Sequence, residues 1–211
     1  MGKGSKTKKT KRQNSIKIRQ ENKGFLSVQP CLSKREGCLY FDFPDGWVVE
    51  KYDAWKFVKN DKGGQHLGFN GIKDQDIRSV DFCAIDRDSI LWFIEVKDYR
   101  KSIKKEESVF FRSICDKFLC SMAGLFAARY TARDGEKEFA EKCSCTISMR
   151  FVLHLELPEA TNKWEAAIID VKDIQDKMEQ KFSRVAPNPL LVSIKYPQNL
   201  PWKVRDVTSS Q

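Results

Sequence analysis

Two neighbouring apolar segments of the chain contain charged residues that could hold a metal ion. Asp81 opens the first segment, and Glu95 and Lys97 lie two positions apart near the end of the second. Side chains alternate along a strand, so Glu95 and Lys97 project from one face and Val96 from the other. Burying a charge without a partner is costly, so charges in such a strand usually pair, bind metal or line a cleft.

The chemistry that this grouping favours is hydrolysis of a phosphodiester bond. Two neighbouring carboxylates repel each other and attract a cation, and oxygen ligands suit Mg²⁺ or Mn²⁺. A metal ion held there would polarise a phosphate and lower the pKa of a bound water. Lys97, beside the site, could hold that water or neutralise the charge that develops on the phosphorane.

The turn between the two segments decides whether Asp81 reaches Glu95. With a two-residue loop, Asp81 lies opposite Ile94 and its side chain is on the wrong face. With a three-residue loop, in which Asp86 pairs with Ile90, Asp81 lies opposite Glu95 and the two acids converge; a β-bulge could do the same. Both registers are compatible with the sequence, and so is a salt-bridged hairpin that performs no chemistry.

The arrangement Asp81…Glu95-Val96-Lys97 resembles the PD-(D/E)xK nuclease superfamily, whose members share the restriction-endonuclease-like fold. The pattern acid-x-Lys occurs four times in the chain, but only Glu95 lies in an apolar strand that follows another strand opened by an acid. Val80 stands where the family often has proline. The resemblance implies that Asp81 and Glu95 bind the metal, that the backbone carbonyl of Val96 can join them, and that Lys97 orients the attacking water.

Many members of this superfamily also have a glutamate on the first core helix. Glu50 matches that position, and Asp53 follows one turn later. The resemblance therefore implies that Glu50 helps at the catalytic site. An exposed residue on a helix surface is the alternative interpretation of Glu50.

Hydrophobic periodicity predicts an α/β fold with a central mixed β-sheet flanked by helices on both faces. The predicted elements are a helix from Asp45 to about Asn60, strands at 66–72, 79–86 and 90–99, a helix at 108–133, a strand at 146–157, a helix at 170–185 and a strand at 190–194. The tail from Tyr196 is predicted to be irregular. This order is a restriction-endonuclease-like core (αβββαβ) with an extra C-terminal helix and strand.

The positive charge of the chain is concentrated at its N-terminus. The net charge is +9, and residues 1–24 contain nine Lys or Arg and one acid. We predict a flexible basic arm over residues 1–24, since it has too few apolar side chains to form a core, and a nuclease-like domain over residues 25–211. The arm could bind phosphates, or it could be a solubilising tail or a localisation signal.

The remaining motifs favour a reduced, cytoplasmic setting. The sequence has no run of about 18 apolar residues, which a membrane-spanning helix would need, and its N-terminus is too polar for a secretory signal. The cysteines outside the apolar runs could meet as a zinc or iron–sulfur site, but their spacing is not that of a zinc ribbon; they are Cys31, Cys38, Cys143 and Cys145. His154 alternates with apolar residues, which predicts a packed core histidine.

These observations lead to one hypothesis and two rivals. The hypothesis is a Mg²⁺- or Mn²⁺-dependent deoxyribonuclease, an endonuclease rather than an exonuclease, that acts as a homodimer or a subunit of a larger complex, in genome defence or repair. The predicted contacts to nucleic acid are Lys101, Lys104, Lys105 and Arg112. The rivals are a catalytically inactive nuclease-fold subunit that binds nucleic acid or serves assembly, and a basic-armed protein that binds the ribosome or RNA.

Overall fold

A computed structural model describes residues 32–58, 78–101, 107–158 and 170–207. The strands are β1 (Leu32–Glu36), β2 (Leu39–Phe43), β3 (Val48–Lys51), β4 (Phe82–Ile85), β5 (Ile90–Asp98), β6 (Ser148–Glu156), β7 (Leu190–Val192) and β8 (Lys203–Asp206). The α-helices are α1 (Glu107–Thr131), α2 (Asp134–Cys143) and α3 (Val171–Phe182), and a short 3-10 helix spans Tyr52–Ala54. None of the described helices is both long and apolar enough to cross a membrane.

Five strands form a mixed sheet in the order β3-β4-β5-β6-β7. The pairs β3–β4 and β4–β5 are antiparallel, whereas β5–β6 and β6–β7 are parallel. The other three strands form an antiparallel sheet in the order β1-β2-β8. The predicted α/β class and the mixed sheet with flanking helices are therefore confirmed, and the restriction-endonuclease-like order stays a prediction.

Side-chain alternation along β5 separates two hydrophobic cores. Phe93 faces α1, α2 and α3, together with Phe151 of β6, on which the Phe118 ring of α1 stacks at 4.4 Å between centroids. Trp92 and Ile94 face the three-stranded sheet. The buried residues of the three helices all join the core on the Phe93 face, so the prediction of helices on both faces is wrong for the described residues. Glu95, two residues after Phe93, lies on the helix side.

The predicted helix from Asp45 to Asn60 is wrong over its described residues. The chain instead forms β3, in which Val49 lies opposite Ala84 of β4, and then the 3-10 helix. Pairing with an existing strand satisfies the backbone of β3 and places Val49 in a core, which outweighs the helical spacing of the apolar residues. After the 3-10 helix, Trp55 is buried on the helix side of the sheet.

The other predicted elements agree with the structure except at three places. The strand at 146–157, the helix at 170–185 and the strand at 190–194 correspond to β6, α3 and β7, and Asp170 caps α3 through the backbone N–H groups of Lys172 and Asp173. The helix predicted at 108–133 ends at Thr131, and α2 was missed; Asp134, with φ of 48°, separates the two helices. The tail is not irregular throughout, because β8 pairs with β2.

Several predictions lie outside the described residues. They concern the arm at 1–24, the strand at 66–72, Cys31, Lys104 and Lys105.

The hairpin between β4 and β5 has the three-residue loop that the sequence left open. The N–H of Asp86 donates to the carbonyl of Ile90 at 3.1 Å, and the Asp86 carboxylate accepts from the N–H groups of Asp88 and Ile90. Ser89 closes the loop in the left-handed region, with φ of 58°. The same register pairs Phe82 with Ile94, so the position before Phe82, which is Asp81, falls opposite Glu95.

We expect Ser89→Gly to raise the free energy of unfolding by about 0.5–1 kcal/mol. A left-handed conformation costs a residue with a side chain about 1–2 kcal/mol, and glycine avoids that cost at an entropic penalty of about 0.5–1 kcal/mol. Urea unfolding measures the change. Asp88→Gly, one position earlier in the same loop but without a positive φ, is the control and should destabilise. A Ser89→Gly protein less stable than wild type would contradict the turn geometry.

Candidate acidic site at the end of the β4–β5 hairpin

Three predicted site residues meet on the helix side of the five-stranded sheet. Asp81 directly precedes β4, and Glu95 and Lys97 lie near the end of β5. The Asp81 residue is 6% exposed and Glu95 is 0% exposed. The hairpin places these carboxylates on the same face of the sheet, next to the apolar core that Cys83 and Phe93 share with the helices.

Burial and repulsion make Asp81 hard to ionise. Burial, followed by the negative charge of Glu95, raises the pKa of Asp81 to about 7. The ammonium group of Lys117 and the N–H of Val96, which donates to Asp81 Oδ2 at 2.6 Å, act in the opposite direction but do not cancel the rise. Asp81 therefore keeps its proton to a much higher pH than an ordinary carboxyl, and a nearby cation would shift it to the carboxylate form.

Glu95 is held between two lysines. Lys97 forms an ion pair with Glu95 Oε1, and Lys117 of α1 lies 2.7 Å from the same oxygen. Neither ammonium group makes a well-directed hydrogen bond to Oε1, whereas Lys117 donates to Oε2 at 3.0 Å. Burial, the largest single influence, favours the neutral form of Lys97, but the charge and hydrogen bond of Glu95 and the charge of Asp81 together outweigh it and raise the pKa of Lys97. The Glu95 carboxylate is thus fully buried with two cations beside it.

Asp81 also belongs to a group of three acids that could hold a metal ion. Ligand oxygens of Glu36, Asp53 and Asp81 lie within 4.8 Å of one another. Lys51 donates to Asp53 Oδ1 at 2.9 Å and also pairs with Glu36. Carboxylate oxygens suit a hard divalent cation and do not discriminate among Mg²⁺, Mn²⁺ and Ca²⁺. A cation that binds this group would have to compete with the Lys51 ammonium.

The other predicted site residues are not members of this three-acid group. Glu50 is in β3 rather than on a helix; it pairs with Cys83, and its Oε2 is 3.5 Å from Trp55 Nε1. The three-acid group contains Asp53 but not Glu50, so a role for Glu50 at the site stays a prediction. Lys101 follows β5 and Arg112 lies on α1, and both are exposed.

Two residues of the site were missed by the sequence analysis. Lys117 interrupts the apolar side of α1 next to Phe118, and a basic residue in that position is a signal that could have been used. Glu36 has no such signal, because only the packing of the three-stranded sheet on the five-stranded sheet brings β1 near Asp81.

The described cysteines do not form a metal site. Cys38, Cys143 and Cys145 are all free thiols, and the one group of potential metal ligands among the described residues contains only acids. Burial raises the pKa of the Cys143 thiol far above its ordinary value, which keeps it protonated. His154 is a buried core residue against Phe41, as predicted.

Comparison with known proteins adds one partial similarity. No family model and no solved structure matches the chain. The cysteine--tRNA ligase of Neisseria meningitidis serogroup A / serotype 4A (strain DSM 15465 / Z2491) is 28% identical over 207 residues, an alignment that covers 82% of this chain and 30% of the ligase. The chain therefore corresponds to less than a third of the length of that protein.

Proposed function

We propose that the protein is a metal-dependent endonuclease that hydrolyses phosphodiester bonds in DNA. The observation that carries the proposal is the hairpin register, which brings Asp81 opposite Glu95, with Lys97 on the same side of β5. The raised pKa of the buried Asp81 beside Glu95 supports cation binding over a purely structural role, because a bound cation would offset the cost of ionising Asp81.

In this proposal the roles are divided among four residues. Asp81 and Glu95 would bind Mg²⁺ or Mn²⁺, and the backbone carbonyl of Val96 could add a ligand. When bound, the ion would polarise the phosphate and activate a water. Lys97 would leave its pair with Glu95 to position that water, while Lys117 of α1 would keep the Glu95 charge compensated.

Contacts with nucleic acid would come from exposed basic residues that follow the site in the sequence. Lys101 lies after the end of β5, and Arg112 is exposed on α1. The nine Lys or Arg of residues 1–24 would add affinity that does not depend on base sequence and that falls with rising salt. Glu36 and Asp53 could supply further oxygen ligands if Lys51 moved away from them.

The test is a cleavage assay with supercoiled plasmid, linear duplex, single-stranded DNA and a folded RNA, each with Mg²⁺, Mn²⁺ or EDTA. We expect nicking of the plasmid with either metal, no nicking in EDTA, and a loss of more than about 100-fold in Lys97→Ala, since groups that act at the transition state commonly contribute that much. Lys172→Ala is the matched control, because Lys172 belongs to another acid-x-Lys sequence but is exposed on α3. Cleavage that persists both in EDTA and in Lys97→Ala would contradict the proposal.

One observation favours a second candidate, a nuclease-fold subunit that binds nucleic acid without cleaving it. The Glu95 charge is already compensated by two lysines, and Lys51 pairs with two members of the three-acid group. Such a protein would bind DNA or RNA equally in Mg²⁺ and in EDTA, with no product. The folded RNA belongs in the assay because the similar protein is named as a ligase of tRNA.

A further inference from the structure

The three-stranded sheet has one side packed on the five-stranded sheet and one side that points away from it. Leu39, Phe41 and Phe43 of β2 belong to the core between the two sheets. Side chains alternate along a strand, so the residues between them point outward. Their partners on β1 and β8 extend this outer face, which consists of Ser33, Arg35, Tyr40, Asp42, Lys203 and Arg205.

A tyrosine ring lies between two arginines on the outer face. The register places Tyr40 of β2 between Arg35 of β1 and Arg205 of β8. The guanidinium carbons of Arg35 and Arg205 lie 5.8 and 5.6 Å from the centroid of the Tyr40 ring. Both distances lie within the range of about 6 Å for cation–π contacts. The row therefore presents one aromatic ring and two planar cations side by side.

Positive charge exceeds negative charge on the outer face. Asp42 is its only carboxylate, and it accepts hydrogen bonds from Arg205 and Ser33. Arg35 and Lys203 are both exposed, and neither forms an ion pair with any of the residues that the structure describes. Two cations of this surface are thus available to an anion.

We propose that the outer face binds an unpaired strand of DNA and guides it to the acidic site. The inference rests on the proposed function for its partner, because that site would act on phosphodiester bonds. Surfaces that hold single strands combine cations for the phosphates with aromatic rings or guanidinium planes on which bases stack. Arg35 and Lys203 match the first requirement, and the row centred on Tyr40 matches the second. Bases in a duplex are already stacked on each other, so this surface selects an unpaired strand.

The outer face ends beside the acidic site. Arg35 directly precedes Glu36, which belongs to the three-acid group. Arg205 directly precedes Asp206, which forms an ion pair with Arg100 just beyond the end of β5. Both arginines of the row therefore lie at the end of the sheet that borders the site. A strand that crosses the row and passes over this end of the sheet would come to the acids.

The test is fluorescence anisotropy of the full chain with a labelled DNA strand, the matching duplex and an RNA strand of the same sequence, all in EDTA. We expect the DNA strand to bind more tightly than the duplex. Tyr40→Leu should raise the dissociation constant for the DNA strand at least about fivefold, the lower end of the effect of one stacked base, and leave that of the duplex unchanged. Tyr196→Leu is the control, because Tyr196 is 75% exposed but lies after β7, outside the outer face.

Two charge variants test the phosphate contacts. Each contact adds about 0.7 to the steepness with which the logarithm of the affinity for a single strand falls with the logarithm of salt. Arg35→Gln and Lys203→Gln should each reduce the steepness by about that amount. Arg184→Gln, which removes an exposed cation directly after α3, should leave it unchanged. Melting temperatures of all variants check that the fold is intact.

Three results would overturn the proposal. They are tighter binding of the duplex than of the DNA strand, tighter binding of the RNA strand than of the DNA strand, and wild-type binding of the DNA strand by Tyr40→Leu.

Cleavage assays in Mg²⁺ separate this proposal from the proposed function. Tyr40→Leu should raise KM for a single-stranded substrate about as much as it raises the dissociation constant. Binding of the DNA strand that depends on Tyr40, with no cleavage of any substrate, would refute the nuclease alone. Plasmid cleavage by wild type, together with strand binding that is indifferent to Tyr40→Leu, would refute the role of the outer face alone.

Discussion

Asp81→Asn is expected to abolish cleavage and, in the absence of divalent metal, to make the protein more stable at pH 8. The stability gain follows from the pKa of Asp81, which is about 7 in the folded protein against an ordinary value of 3.8. Between pH 3.8 and about pH 7, the folded state therefore holds a proton that the unfolded state has already released. Stability contributed by the protonated form is present at low pH and is lost as the pH rises through about 7.

The size of this effect is large for a single residue. A pKa difference of this magnitude corresponds to about 4 kcal/mol between the fully protonated and fully ionised conditions. Asparagine is isosteric, stays neutral, and can still accept the hydrogen bond from the Val96 N–H. The variant should thus show a flatter dependence of the free energy of unfolding on pH between 5 and 8 than wild type.

Denaturant unfolding at several pH values, in EDTA and in Mg²⁺, measures both parts of this prediction. Added Mg²⁺ should stabilise wild type at pH 8 but not Asp81→Asn, and cleavage by the variant should fall more than about 100-fold, the loss that even a partner of a metal ligand can cause. Asp88→Asn, an exposed carboxylate in the hairpin loop, is the control. Equal pH slopes for wild type and Asp81→Asn would show that Asp81 is an ordinary ionised acid.

Glu95→Gln is expected to destabilise the protein by about 3 kcal/mol, although it changes almost nothing in side-chain volume. Removing one partner of a buried ion pair leaves an uncompensated charge, which commonly costs about 3–5 kcal/mol. Here the substitution leaves two ammonium groups, of Lys97 and Lys117, with side-chain exposures of only 21% and 18%. The lysine stems can carry part of the charge toward water, which is why we expect the lower end of the range.

A double variant separates charge from shape. Lys117→Met in the Glu95→Gln background removes one of the two stranded charges, so it should recover part of the lost stability, whereas Lys117→Met alone should destabilise. Urea unfolding at pH 7 measures all four proteins. In wild type Lys97, whose pKa is raised in the folded state, is charged at this pH in both folded and unfolded chains. If the free energy of unfolding of Glu95→Gln lies within about 1 kcal/mol of the wild-type value, the two lysines do not need the Glu95 charge to stay in place.

The sequence was most informative where alternation along a strand coincided with charge. Glu95 and Lys97 stand out in β5 because Val96 and all five residues before Glu95 are apolar, so their shared face and their pairing could be predicted. The register of Asp81 could not, because Ser89 adopts a left-handed conformation that the sequence marks with no glycine. The residues between β4 and β5 are equally compatible with a two-residue loop and with a three-residue loop.

The first predicted helix failed for a different reason. Trp47, Tyr52, Trp55 and Val58 have helical spacing, but the chain buries them in two separate cores as it passes the edge of the sheet.

Lys117 and Glu36 reach the site from α1 and from the second sheet, and contacts between such distant segments depend on tertiary packing, which no local pattern encodes.

The hairpin loop has a consequence for how the length of this chain can change. Ser89 lies about 20 Å from Glu95 along the strand, at a rise of about 3.3 Å per residue, and surface loops commonly tolerate insertions and deletions. Here, losing one residue of the loop would shift β4 against β5 by a single position and turn the Asp81 side chain toward the three-stranded sheet. The length of this short surface turn, at the far end of the hairpin, is therefore constrained as strictly as the identity of the acidic residues.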